Sequence, residues 1–189
     1  MNVESFAMRM LYPGEKPMRM MRMAAFLTLS ACAITMAEPA PRADWTRTRP
    51  LTSGALRLLA GAAERSSIVA ALLNAVELTD VVVYLSDSMP GVESGPASKL
   101  VFLAVDGTSR YLLVRVDRWR LSPLERIAQL GHELQHALEV AAAPEVRNAD
   151  GLVQLYRRIG WKGPGNRFES DAARTMGYRI RREVAGRKL

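Results

Sequence analysis

The sequence predicts an α+β fold: a small, mostly antiparallel sheet packed on one long helix and on a second helix near the C-terminus. Three observations predict it. Short β-branched and aliphatic runs, punctuated by Gly and Pro, lie between residues 81 and 116. A capped amphipathic run follows from Ser122 and carries the only two histidines of the 189-residue chain. A later helical pattern, with small residues on its apolar face, begins near Phe168.

Residues 1–37 stand apart, because they hold eight of the ten methionines. Arg19 and Arg22 precede an apolar run from Ala24 to Ala37, the pattern of a signal peptide with an over-extended start before Met18. The run is too short for a membrane span. Cleavage after Ala33 or Ala37 would export the protein to a periplasm or to the medium. Leu29-Ser30-Ala31-Cys32 also resembles a bacterial lipobox, which would instead anchor the chain to a membrane through Cys32. Cys32 is the only cysteine, so no internal disulfide can form. Glu38 to Pro50 contains three prolines and reads as a linker, leaving residues 51–189 as the folded domain.

Within that domain, Thr52 to about Arg65 is a helical pattern, and Ser66 or Ser67 caps a second helix through Val76. Val81–Leu85 is a strand, residues 86–98 a loop, and Leu100–Ala104 and Tyr111–Val116 two further strands. Asp106-Gly107 between the last two predicts a hairpin. Ser122-Pro123-Leu124-Glu125 is a capping box with proline in the first helical position. Apolar residues then recur at helical spacing from Leu124 through Ala141, and Pro144 ends the run.

On this helix stands Gly131-His132-Glu133-Leu134-Gln135-His136, an H-E-x-x-H motif. Side chains at i and i+4 share a helix face, so both imidazoles can reach one zinc ion at about 2.0–2.1 Å. Glu133 projects about 100° around the helix, beside the metal, where a carboxylate can act as base. The alternative is that two histidines merely decorate an amphipathic helix. A catalytic zinc needs a third ligand, and with no histidine or downstream cysteine left it must be a carboxylate. Glu139 lies one turn past His136, but a straight helix carries it away from the metal, and it reads as a solvated surface charge. Glu169, at the start of the later helix, is the preferred ligand; Asn166-x-x-Glu169 also fits a capping box in which Glu169 only caps its own helix. Ala172 and Ala173 would let that helix pack closely on the motif helix.

His132-Glu133-x-x-His136 followed by a later glutamate resembles the gluzincin zinc metallopeptidases, over about Ser122 to Arg182. The resemblance implies a zincin-like fold, Zn2+ as cofactor, a peptide or protein substrate, and hydrolysis with Glu133 as general base. It also implies an edge strand that pairs with the substrate backbone, and an oxyanion-stabilising residue for which Tyr156 and Tyr178 are the candidates. Thermolysin-type members carry an aspartate four residues after the ligand glutamate to support a histidine. Here that position is Ala173, and Asp171 points elsewhere.

The net charge is +7, with basic residues concentrated after Arg157. No zinc-finger or helix-turn-helix pattern accompanies them, so nucleic acid is not an expected partner. Two rival functions remain: an exported zinc-binding protein without turnover, and an adaptor whose basic C-terminal helix meets a membrane or nucleic acid.

Overall fold

The computed structural model describes residues 45–88, 95–163 and 167–186. The expected signal peptide, the lipidation at Cys32 and most of the linker lie outside these residues.

The first described element corrects the linker. Thr48–Pro50 is a strand, β1, and it pairs in parallel with Val81–Ser86, β2. Glu77 fixes its approach by accepting hydrogen bonds from the backbone N–H groups of Thr46 and Arg47 at 2.9 Å. Between the strands run α1 (Ser53–Arg65) and α2 (Ser67–Glu77), the helical crossover that a parallel pair requires. Thr52 caps α1 through the N–H of Ala55, and Ser66 caps α2 through that of Val69.

β3 (Ser98–Asp106) and β4 (Ser109–Val116) form the expected hairpin, with Gly107 at φ 57° in the turn. That left-handed backbone is why glycine follows Asp106. The sheet order is β1-β2-β4-β3, and β4 runs parallel to β2. Two of the three ladders are therefore parallel, so the sheet is mixed rather than mostly antiparallel. The sequence hid this because a parallel ladder is set by the crossover, not by any local turn. β3 is left as an edge, broken by an irregularity between Phe102 and Ala104.

The motif helix α3 (Pro123–Ala141) has the predicted cap, with Ser122 accepting from the N–H of Glu125. Its apolar stripe (Ile127, Leu130, Leu134, Ala137) meets Val69, Leu73 and Val76 of α2 and Val83, Leu112 and Val114 of the sheet in one buried core. Its far end is held by Arg110, which is 1% exposed. The Arg110 guanidinium donates to the carbonyls of Val140, Ala141 and Ala143 at 2.6–3.1 Å and to Asp80 at 2.7 Å. A cation on the last carbonyls of a helix both satisfies them and complements the macrodipole.

Two features were not predicted. α4 (Ala149–Ile159) is capped by Asn148, and β5 (Trp161–Gly163) pairs antiparallel with β6 (Arg167–Glu169). The last helix, α5 (Asp171–Gly186), lies along α3. The small residues that allow the approach are Ala173, Gly177 and, on α3, Gly131; Ala172 is exposed. A Cβ on Gly131 would lie 2.0 Å from Ile180 Cδ1. The basic residues Arg179, Arg181 and Arg182 lie on the exposed face of α5. No described helix is long and apolar enough to cross a membrane.

Candidate metal centre

α3 projects His132 and His136 from consecutive turns, with ring centroids 4.7 Å apart and planes at 85°. Glu169 reaches both: its Oε2 is 3.5 Å from His132 Nε2, and its Oε1 is 3.5 Å from His136 Nε2. All three ligand atoms lie within 4.8 Å of one another. Two ligands bound tetrahedrally at 2.0–2.1 Å stand about 3.3–3.4 Å apart. The three donors can therefore converge on one small metal ion.

Glu169 is the last residue of β6, not the first turn of a helix. The capping box expected at Asn166 is not its setting. Ser170 caps α5 instead, its Oγ accepting from the N–H of Ala173. Gly160, at the end of α4, sets the position of Glu169: a Cβ there would lie 2.1 Å from the Glu169 carbonyl oxygen.

Glu139 is not a solvated surface charge. Its side chain is 10% exposed and accepts from His136 Nδ1 at 2.8 Å. Ser170 Oγ donates to its other oxygen at 2.5 Å. This bond orients the His136 ring with Nε2 toward Glu169. Glu139 therefore occupies the supporting role for which position 173 offered only alanine. Glu139 stands outside the His132, His136 and Glu169 donor set, and the space behind His136 is protein rather than solvent.

Charge follows from this packing. Burial opposes protonation of His136, but hydrogen bonds to Glu139 and Glu169 and the charge of Glu133 overcome it, and the pKa is raised to about 9. Burial would raise the carboxyls of Glu139 and Glu169, yet both are held below the usual range. For each the next-largest influence is the hydrogen bond to His136; Ser170 and the His136 charge add to it for Glu139, and the His132 charge for Glu169. His136 thus carries a proton at neutral pH between these carboxylates, and an ion held by the same nitrogen would have to displace it.

Glu133 is 3% exposed and stands outside the donor set. Its Oε1 lies 2.7 Å from Ser98 Oγ at the start of β3, and Gln129 Oε1 lies 2.7 Å from the same hydroxyl. One hydroxyl proton serves only one of them; with the Gln129 amide turned so that its NH2 donates to Ser98, Ser98 donates to Glu133. Gln129 was visible in the sequence as the residue one turn before Glu133. Ser98 was not, because only the sheet brings it there.

The two tyrosines part company. Tyr156 is buried beside His136, with ring centroids 5.0 Å apart, and stacks on Phe168. Its hydroxyl interacts with Glu139 and lies 3.5 Å from the His136 carbonyl oxygen. Burial and the neighbouring carboxylates push the phenol far above its ordinary pKa. Tyr178 is 57% exposed and lies under Arg182, outside the cleft. The structure does not bring it to the donors.

The cluster opens into a cleft of about 620 Å3. Pro96, Ala97 and Ser98–Leu100 of the β3 edge line it, and so do the apolar side chains of Leu152, Tyr156, Trp161 and Phe168. Lys99 is the only lysine or arginine among the described lining residues. Comparison with protein families, curated proteins and solved structures found no match to the chain.

Proposed function

We propose that the protein is a zinc-dependent hydrolase of peptide or amide bonds with a zincin-like active site. The observation that carries this reading is the placement of Glu133: a buried carboxylate beside a His2Glu donor set, on the wall of an open cleft, yet not a ligand. A purely structural metal site has no use for such a base.

His132, His136 and Glu169 would hold the ion, with Glu139 orienting His136. Zinc held there would supply Lewis acidity, polarising a carbonyl oxygen and making water easier to deprotonate. Glu133 would act as general base, taking a proton from the attacking water and returning it to the leaving nitrogen. Ser98 occupies one of its oxygens, which leaves the other for the transfer. β3 is the edge strand on the cleft, so a substrate in extended conformation adds to it through main-chain hydrogen bonds. The apolar lining residues suit an uncharged side chain of that substrate. Tyr178 has no part in this mechanism, and Tyr156 acts from behind His136.

The test is zinc-loaded protein incubated with a pool of unstructured peptides, with cleavage followed by mass spectrometry. Glu133→Gln is expected to keep the metal and lower turnover by roughly 10²–10⁴-fold. Undiminished cleavage by that variant would overturn the assignment. Stoichiometric zinc without cleavage by the wild type would favour the rival reading, a metal-holding protein without turnover.

A further inference from the structure

A second cavity, of about 270 Å3, lies at the carboxyl ends of the parallel strands β2 and β4. Asp87 follows β2 directly, and Arg118 lies two residues beyond β4. The other walls are one face of α1 and the first turn of α3. In open sheets this end of parallel strands is where ligands bind.

The lining is cationic. Arg57, Arg65, Arg118 and Arg126 face one carboxylate, Asp87, which leaves three net positive charges (four minus one). Asp87 is committed to the protein, bonded to the Thr52 hydroxyl at 2.6 Å and 3.4 Å from Arg118. Arg126 Nε is buried and has no hydrogen-bond partner among the described residues. Its guanidinium is therefore incompletely satisfied by its own surroundings, an uncommon and costly state for a charged donor. The positive end of the α3 dipole adds to the field.

The α1 face is built as a hollow. Gly54, Arg57, Leu58, Gly61, Ala62 and Arg65 follow helical spacing along one stripe, and between Leu58 and Arg65 the stripe holds only Gly61 and Ala62, with little or no side chain. Gly54 has a packing reason, since a Cβ there would collide with Asp87. Gly61 has none: a Cβ would meet nothing within 4 Å. A glycine in mid-helix weakens the helix. What it provides here is open space between Arg57 and Arg65.

We infer that this arginine-lined cavity binds a phosphate group carried by a small ligand or a lipid headgroup. A dianion matches the net charge better than a carboxylate, and guanidinium forks pair with phosphate oxygens two at a time. The inference does not rest on the proposed hydrolase, and its test reads no hydrolysis, so either can fail alone.

Calorimetric titration of the full chain with inorganic phosphate is expected to show saturable binding of one phosphate per chain. Arg126→Gln should weaken it at least about tenfold, as loss of one charge-assisted pair does. Gly61→Leu should abolish binding by filling the hollow, while its unfolding temperature without phosphate equals or exceeds that of the wild type. That second variant separates loss of the site from loss of the fold. Vesicles of phosphatidylcholine with and without phosphatidic acid distinguish the sources: acid-dependent capture lost in both variants assigns the phosphate to a lipid, and calorimetric binding without capture assigns it to a soluble ligand. Absence of saturable phosphate binding by the wild type, or phosphate binding or vesicle capture that persists in both variants, overturns the inference.

Discussion

The donor cluster is supplied by two regions built in opposite ways. α3 is a local construction: its two histidines meet because they are four residues apart, and its ends are tied by the Ser122 cap and the Arg110 guanidinium. The Glu169 arm is a tertiary construction. Two three-residue strands carry the carboxylate back to α3 after an excursion through α4, and the close contact at Gly160 sets where it stops. A chain of hydrogen bonds, Ser170 to Glu139 to His136, joins the arm to the helix beside the direct approach of Glu169 to the two histidines. The spacing of the histidine pair is therefore set by secondary structure, whereas the third donor is only as well placed as the packing that carries it.

Removing the arm's one chemical contribution should have the largest effect. Glu169→Ala is expected to reduce zinc affinity by more than the roughly 10–100-fold typical of a residue behind a ligand, read by competition with a chromophoric chelator while the circular dichroism of the helices is unchanged. Breaking the α3 side comes next. Arg110→Met leaves the last carbonyls of α3 without their donor and should cost about 1–3 kcal/mol in urea unfolding, the range for a buried acceptor left unsatisfied. Cutting the link between the regions should be milder: Glu139→Gln is expected to lower zinc affinity by about 10–100-fold and leave urea stability nearly unaltered. The smallest effect is on acid stability. Asp80 has its carboxyl held below 3.8, with the hydrogen bond from Arg110 as the leading cause. A carboxylate so depressed contributes stability above its unfolded pKa and loses it as pH falls through the folded value. Urea midpoints followed from about pH 5 to about pH 2 should therefore drop more for the wild type than for Asp80→Asn.

The same contrast governs what was legible in the sequence. α3, its cap and its motif were readable because every signal lies within one helical run. The β3–β4 hairpin was readable from Asp106-Gly107. β1 was not, since a three-residue strand ending in proline resembles a linker until β2 is beside it. α4 did leave a signal: Asn148 as cap and Leu152, Leu155, Tyr156 and Ile159 at helical spacing. β5 and β6 are too short to show alternation. Glu139 was misplaced for another reason. Helical geometry gives the direction of a side chain but not what waits there, and here it was Ser170 and Tyr156.

Gly160 carries a further consequence for how this chain tolerates change. It has no donor atom and no charge, and its backbone is extended, a conformation open to any residue. Yet no side chain fits there without pushing the Glu169 backbone away. In a saturation-mutagenesis library selected for metal occupancy, position 160 should be as intolerant as the ligands themselves, while chemically richer neighbours such as Lys162 drift freely. A survey of mutational tolerance would thus identify as essential a residue whose whole contribution is the volume it leaves empty.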